Sequence, residues 1–578
     1  MSQPINHGDT INTENLKKLR AIVSPWLAHA LLWLLPLAFL AISFFFPLSR
    51  IFSLTFNFEF LTPENLRITQ HALSFTFYQA ILSTLLTLLL GLPSAYLFAR
   101  YDFPGKSILR ALTAIPFMLP TVVVAASFNA LIGPRGLINT TILPSAFRIL
   151  NSEFTRSVHP SPLSLILLAH VFYNTTIIIR IVGTALASLD PKLEHAARSL
   201  GADTFHVWKN VTLPLLRPAI LAATLLVFLF DFTSFGVILL LGGSKFSTLE
   251  VEIYVQAVKQ LNLPVAALLA IIQLICTLLF SILYSYLVTR NPSPHASRST
   301  NQRRPKTVHE KIFVISFIFL LSSFFLLPLS SLPIRSLFRL EADRGQRGEV
   351  QYGFTTDYYT ELFINRRGSV FYVPPIQATT NSLGYASATV LLSLLLGYPV
   401  AIALANPSRL EKILDPLIML PLGSSAVMLG LGFIITYGKW LTSPWLVPFA
   451  HTLVALPFVI RTLQPAIASI PQRLRQAAAS LGASPFEVWR QIDFPILRRA
   501  TLAAGTFAFT ISLGEFGATL LISRPEYPTI PVAIERFLSQ PGGLNYGQAM
   551  AMATILMLLA TISILFIEKF RLPNSGEF

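Results

Sequence analysis

The residues with chemistry to offer are ionisable side chains inside long apolar runs. They include His170, Arg180 and Asp231 in the first half of the chain and His451, Arg461 and Glu515 in the second. A charge in a membrane-spanning helix is costly, so it marks a pathway, a relay or a pairing. His170 and His451 are related by an offset of 281 residues, as are Arg180 and Arg461. Each Arg lies about two turns before a polar loop. There it can snorkel to the interface or, more sharply, couple loop motion to a gate. Asp231 and Glu515 do not share the offset: Asp231 matches Ser512 and Glu515 matches Ser234. Two readings of the carboxylates stay open. They line a path suited to a small cation, or each is a hydrogen-bonded carboxyl that holds helices together.

Other chemistries find little support. A phosphate-binding loop needs Gly, four residues, then Gly-Lys-Ser/Thr. The near miss, Gly105-Lys106-Ser107, has Arg100 where the first glycine belongs. No His/Cys/Asp cluster has metal-ligand spacing, no cofactor is implied, and the one cysteine, Cys276, sits in an apolar run. The glycosylation triplets at Asn139, Asn174 and Asn210 are read as chance. The chain is therefore not expected to be an enzyme.

The elements that position these residues must be membrane helices. Of 578 residues, 53% are hydrophobic and 12% charged, against about 25% charged in soluble proteins. The net charge of +16 does not indicate nucleic acid, because the basic residues lie between apolar runs where topology alone places them. A span needs about 20 mainly apolar residues. About twelve such runs occur, near 27–48, 72–99, 111–132, 162–187, 217–241 and 265–289, then 312–334, 379–405, 413–437, 444–468, 500–523 and 545–567. The expected fold is an all-α integral membrane protein of two homologous six-helix halves, 1–289 and 312–578. A Pro/Ser/Arg-rich linker at 290–311 joins them.

The first run is too long for a signal peptide and no cleavage site follows it. With a cytoplasmic N-terminus, the even-numbered loops, rich in Lys and Arg, face the cytoplasm, as does the C-terminus. The segments 133–160 (Arg135, Arg148, Arg156) and 335–378 (Arg335, Arg339, Arg344, Arg347, Arg366, Arg367) oppose the trend. Long loops, however, translocate largely regardless of charge.

Two of the cytoplasmic loops, 188–216 and 469–499, are copies of each other. Leu193-Glu194-His195-Ala196-Ala197-Arg198-Ser199-Leu200-Gly201-Ala202 returns as Leu474-Arg475-Gln476-Ala477-Ala478-Ala479-Ser480-Leu481-Gly482-Ala483. The same offset aligns Phe205 with Phe486, Trp208 with Trp489 and Pro214 with Pro495. Pro191 and Pro471 suit a first turn, and Gly201 and Gly482 suit a left-handed helix end. Asp203 or Ser484 caps a second short helix. The result is a helix–turn–helix with small Ala faces and Trp and Phe anchors, fit to seat in another protein's groove. The plainer reading is an interfacial connector resting on lipid headgroups. Two gap-free copies on one side favour docking.

The loop resembles the signature of binding-protein-dependent ABC importer permeases: Glu-Ala-Ala, three residues, Gly, nine residues, Ile, one residue, Leu-Pro. Here it reads His195-Ala196-Ala197, Gly201, Val211, Leu213-Pro214 and Gln476-Ala477-Ala478, Gly482, Ile492, Phe494-Pro495. The resemblance covers nearly the whole chain. Two permease units in one chain resemble the subfamily of thiamine and ferric-iron permeases. Leu168–Asn174, Gly242-Gly243 to Tyr254, and Ser512–Gly517 look most like the thiamine member. The family's Glu falls on His195 and Gln476, while Glu194 stands one position earlier on another helix face. The docking role is therefore carried to Ala196, Ala197, Gly201, Ala477, Ala478 and Gly482, not to a charge. The resemblance implies a bacterial inner-membrane subunit. Each loop would seat in a groove of a cytoplasmic ATPase dimer, and an extracytoplasmic binding protein would deliver the substrate. A gradient-driven secondary transporter, with Asp231 and Glu515 as ion-relay groups, is the alternative. A receptor or scaffold leaves the duplication unexplained.

Overall fold

In a computed structural model, the residues described are 25–56, 60–142, 161–243, 246–290, 302–340, 352–365, 373–405, 407–441 and 443–570. Outside them lie the polar N-terminus, residues 291–301 of the linker, and Arg148, Arg156, Arg344, Arg347, Arg366, Arg367 and Arg571. The protein is a helical membrane bundle. Among the described residues nine helices are long and apolar enough to cross a membrane, or up to eleven if each of two bent pairs is one span.

In the first half, α1 runs over 25–53 with a π-helical turn at Ala41–Phe45. Next come α2 (Pro63–Arg100), α3 (Lys106–Met118), α4 (Thr121–Ile132) and α5 (Pro162–Ser188). The loop helices α6 (Pro191–Ser199) and α7 (Thr204–Val207) lead into α8 (Leu213–Phe232). They are followed by α9 (Gly236–Gly242), α10 (Leu249–Tyr254) and α11 (Leu263–Arg290). The second half opens with α12 (Val308–Leu337). A two-strand ribbon, Phe338–Arg339 antiparallel to Gly353–Phe354, and the short helix α13 (Asp357–Thr360) follow. Then the order of the first half returns: α14 (Ile376–Ala405), α15 (Arg409–Gly423), α16 (Ala426–Tyr437), α17 (Leu446–Ala468), α18 (Gln472–Ser480), α19 (Pro485–Val488), α20 (Phe494–Gly514), α21 (Gly517–Ile522), α22 (Ile530–Leu538) and α23 (Gly543–Phe570).

Local sequence explains where these helices begin. The Thr62 hydroxyl accepts the Asn65 N–H ahead of Pro63, and Ser161 accepts the Ser164 N–H ahead of Pro162. Thr307 with Glu310, and Ser408 with Glu411, form capping boxes.

Two expected spans are corrected. The runs 111–132 and 413–437 are not straight: α3 and α4 meet at 111°, and α15 and α16 at 93°. Pro120 (φ −54°, ψ 136°) and Ser425 (φ −75°, ψ 150°), both non-helical in backbone, occupy the N-cap positions of the second helices. The runs 217–241 and 500–523 also break, between Phe232 and Gly236 and between Gly514 and Gly517.

The halves repeat each other in packing detail as well as in order. A Cβ on Gly91 would lie 2.6 Å from Ile178 Cβ, and one on Gly397 would lie 2.8 Å from Val459 Cγ1. Ile178 and Val459 are repeat mates, so the same glycine brings α2 onto α5 and α14 onto α17. Close approach of this kind drives helix association in lipid. The Thr76 hydroxyl accepts the Leu249 N–H, and in the second half Ser382 accepts the Ile530 N–H, each at 2.9 Å.

The first helix of each half packs on the other half. Tyr437 donates from α16 to the Ile42 carbonyl at 2.8 Å, and Phe39 meets Phe449 edge-on. Reciprocally, Ser331 of α12 donates to the Ser127 carbonyl at 2.9 Å, and Phe324 meets Phe128 and Phe172. The halves are thereby interlocked rather than side by side.

Candidate functional site

The two repeated loops fold alike. Helix α6 ends as the Leu200 and Gly201 N–H groups turn back to carbonyls of its last turn, and the Ala202 N–H reaches the Ala197 carbonyl at 3.1 Å. In α18, Ala483 reaches the Ala478 carbonyl at the same distance. The reversal needs a left-handed residue, and Gly201 (φ +89°) and Gly482 (φ +86°) supply it. Asp203 then caps α7 by accepting the His206 N–H at 2.8 Å. Ser484 and Glu487 form a reciprocal cap on α19. These bonds hold both carboxyls below the usual range: the His206 N–H and ring act on Asp203, and the Ser484 N–H on Glu487. Each loop passes through a π-helical turn, Trp208–Thr212 or Trp489–Asp493, directly into α8 or α20.

The outward faces also match. Leu200 and Leu481 are each 89% exposed, Phe205 and Phe486 are 68% and 65% exposed, and Leu193 and Leu474 are each a little under half exposed. His195, Ala196 and Gly201 are exposed with them, as are Gln476, Ala477 and Gly482. Ala197 and Ala478 are half-buried. Trp208 is not an outward anchor, because it packs edge-on against Tyr96 of its own half at 5.7 Å. Trp489 stays 42% exposed, stacked on Phe486 and beside Phe494. Exposed apolar groups clustered on a polar loop mark an interaction surface.

Glu194 faces inward. It pairs with Arg100 at the end of α2, and its Oε1 accepts from the Thr212 hydroxyl at 3.2 Å. Its repeat mate is Arg475, whose Nε donates to Asp493, the mate of Thr212, at 2.9 Å. The bridge between loop helix and π turn is present twice with opposite polarity. Arg100 also ties the linker: its carbonyl accepts the Arg303 N–H, and the Arg303 carbonyl accepts the Asp102 N–H, both at 3.0 Å.

Within the membrane, each buried histidine stands between a serine and a carboxylate. His170 Nε2 lies 2.8 Å from Ser234 Oγ, and its Nδ1 lies 2.9 Å from Ser83 Oγ and 3.5 Å from Asp231 Oδ1. His451 Nε2 lies 3.2 Å from Glu515 Oε2, and its Nδ1 lies 2.7 Å from Ser512 Oγ. Because Asp231 matches Ser512 and Ser234 matches Glu515, the carboxylate and the serine have exchanged places around one conserved ring position. Asn174 donates to Asp231 at 2.7 Å and Gln79 to the Asp231 carbonyl at 2.8 Å. Glu515 accepts the Ala518 and Thr519 N–H groups at 2.8 and 3.0 Å. Each carboxylate thus finds these partners inside its own half. Of the aligned arginines, Arg461 reaches Asp415 and Gln464, each at 3.0 Å.

The sequence shows Leu200 and Leu481 in both copied loops without marking them as contact residues, and it gives no sign of Ser83.

Two interlocked halves, each with paired broken spans and an exposed helical loop feeding a membrane helix, define a duplicated membrane permease. The chain matches the family described as binding-protein-dependent transport system inner membrane component over residues 87–291 and 393–570, and it belongs to that family. It is a fused, two-unit ABC importer permease of the inner membrane. Its relatives include the thiamine transport system permease protein ThiP of Escherichia coli (strain K12), 27% identical over 86% of this chain and 88% of the relative. ThiP of Haemophilus influenzae is 28% identical over 87% and 89%. The probable ABC transporter permease protein y4fN of Sinorhizobium fredii is 24% identical over 88% and 89%.

Proposed function

We propose that this chain is the whole translocation pathway of a thiamine importer. One half lies in 1–289 and the other in 312–578, joined by the linker 290–311. The N- and C-termini and both repeated loops face the cytoplasm, where Leu200, Phe205, Leu481 and Phe486 seat in grooves of an ATPase dimer. An extracytoplasmic binding protein delivers the cargo. The single observation that carries this reading is the matched exposure of the two loops: the same apolar side chains are bare in both copies. The names of the relatives support thiamine over ferric iron.

The test is reconstitution in proteoliposomes with the partner ATPase and binding protein, measuring uptake of labelled thiamine. Uptake that requires ATP and both partners is expected. Uptake driven by a proton or sodium gradient without the ATPase sinks this reading and favours a secondary transporter working through Asp231 and Glu515. ATP-driven uptake of ferric iron but not thiamine sinks the substrate alone.

A further inference from the structure

Glu250 of α10 and Gln273 of α11 form a buried polar pair, each 1% exposed. The Gln273 amide donates to Glu250 Oε1. Among the described residues, Glu250 Oε2 and Gln273 Oε1 have no hydrogen-bond partner. A buried oxygen without a donor costs about 1–3 kcal/mol, and more when it carries charge. Both atoms are acceptors, so only a donor or a cation relieves them.

The pair lies where the halves meet. Ser425, at the bend between α15 and α16 of the second half, is close enough to act on the Glu250 carboxyl. Its oxygen accepts the Met428 N–H at 3.0 Å, which leaves its own proton to turn to Glu250. One turn beyond Gln273, the Thr277 hydroxyl donates to the Gly423 carbonyl at 2.9 Å. Helix α11 starts at Leu263, so Gln273 lies about 15 Å along it, well inside the bundle.

The fold does not require this carboxylate. At the 281-residue offset Glu250 falls on Pro531 and Gln273 on Thr554. Pro120 caps the first-half bend where Ser425 caps the second. The Thr554 hydroxyl is bound to the Met550 carbonyl of its own helix. Yet α10 and α22 are held alike: the residues before Glu250 and Pro531, Leu249 and Ile530, donate to the Thr76 and Ser382 hydroxyls, each at 2.9 Å. The second half builds the same helix with a proline. The histidine networks, which tie helices within a half, occur twice, whereas this pair occurs once. A tie that the architecture needs is repeated with the architecture. A small asymmetric cation needs one carboxylate to meet it.

We propose that Glu250 and Gln273 form a binding site for a small organic cation, completed by Ser425 from the other half. The carboxylate balances the positive charge, and the two free acceptor oxygens take N–H groups of the ligand. Three oxygens are too few to replace the shell of a metal ion, which takes about six. Because its members come from both halves, the site is complete when they are together and opens when they part. The proposal rests on the importer reading above, in which the cation is thiamine, with a charged thiazolium ring and an amino group on its pyrimidine.

The test measures binding of labelled thiamine to the full-length permease in lipid nanodiscs by equilibrium dialysis, without ATP or a binding protein. Glu250→Gln keeps the size of the side chain and its contact with Gln273 but removes the charge. It is expected to weaken thiamine binding at least about tenfold, with the thermal midpoint retained. Glu250→Gln combined with Gln273→Glu moves the charge across the pair and is expected to recover most of the affinity. In the reconstituted importer, Glu250→Gln is expected to slow ATP-driven thiamine uptake by a similar factor. Equal binding by wild type and Glu250→Gln, or binding by neither, overturns the site. Wild-type uptake that needs no ATP strikes the importer reading instead, and the binding measurement still decides the site.

Discussion

His451 Nε2 stands 2.7 Å from the Thr519 hydroxyl and 3.2 Å from the Glu515 carboxylate, whereas its mate His170 turns the same nitrogen to the Ser234 hydroxyl at 2.8 Å. The second-half helix break is thus held by a carboxylate that also collects two backbone N–H groups, and the first-half break by a hydroxyl. Removing the Glu515 carboxylate strands the buried Ala518 and Thr519 N–H groups, each costing about 1–3 kcal/mol unpaired, whereas losing one neutral hydrogen bond costs about 1 kcal/mol. Glu515→Ala should therefore lower the thermal midpoint of the detergent-solubilised protein far more than Ser234→Ala. Equal shifts for the two would show that the exchanged pairs are energetically equivalent.

The bare leucines give a test of docking free of folding artefacts. Leu200 and Leu481 are each 89% exposed, so Leu200→Asp and Leu481→Asp should leave the stability within about 0.5 kcal/mol of wild type. As anchors in a partner's groove, each should cost at least about 2 kcal/mol of binding. The expected result is loss of co-purifying ATPase with a normally folded permease. Undiminished ATPase binding by the double variant removes these residues from the interface.

Much of this is legible in the sequence. The offset linking Gly201 to Gly482 located both loops, their helix ends and their caps, because left-handed glycines and capping side chains are local effects. The bends at Pro120 and Ser425 were not legible, since hydropathy registers length and composition but not direction. The pairing of Glu194 with Arg100 joins residues 94 apart, and nothing local specifies it. The exchange of Asp231 with Ser512 and of Ser234 with Glu515 was visible only as a failed alignment. It took the histidine between them to show that both halves build one arrangement.

The inverted bridges make a reciprocal prediction. Glu194 needs Arg100 and Thr212, while Arg475 needs Asp493. Glu194→Arg should set like charge against Arg100 and loosen α6 from α2, lowering ATP-driven uptake. Glu194→Arg combined with Thr212→Asp copies the second-half pair and should recover part of the loss. Each of these partly exposed pairs contributes about 0–1 kcal/mol, so the readout is coupling, as uptake per ATP hydrolysed, rather than stability. No recovery in the double variant would mean that the Arg100 contact alone matters.

The turn itself should be the most sensitive point. Gly201 and Gly482 hold φ near +89° and +86°, and proline is fixed near −65°. Gly201→Pro and Gly482→Pro cannot make the reversal, and each also removes the N–H bonded to Arg198 or Ala479. Their neighbours are open space, since nothing lies within 4 Å of a Cβ built at either glycine, so the spans should still assemble. The expected phenotype of the double variant is a membrane-inserted permease that has lost ATP-driven uptake, with Gly→Ala giving a milder strain of about 1–2 kcal/mol at each turn. Wild-type uptake by the double proline variant would mean that the loops couple without the helix–turn–helix shape.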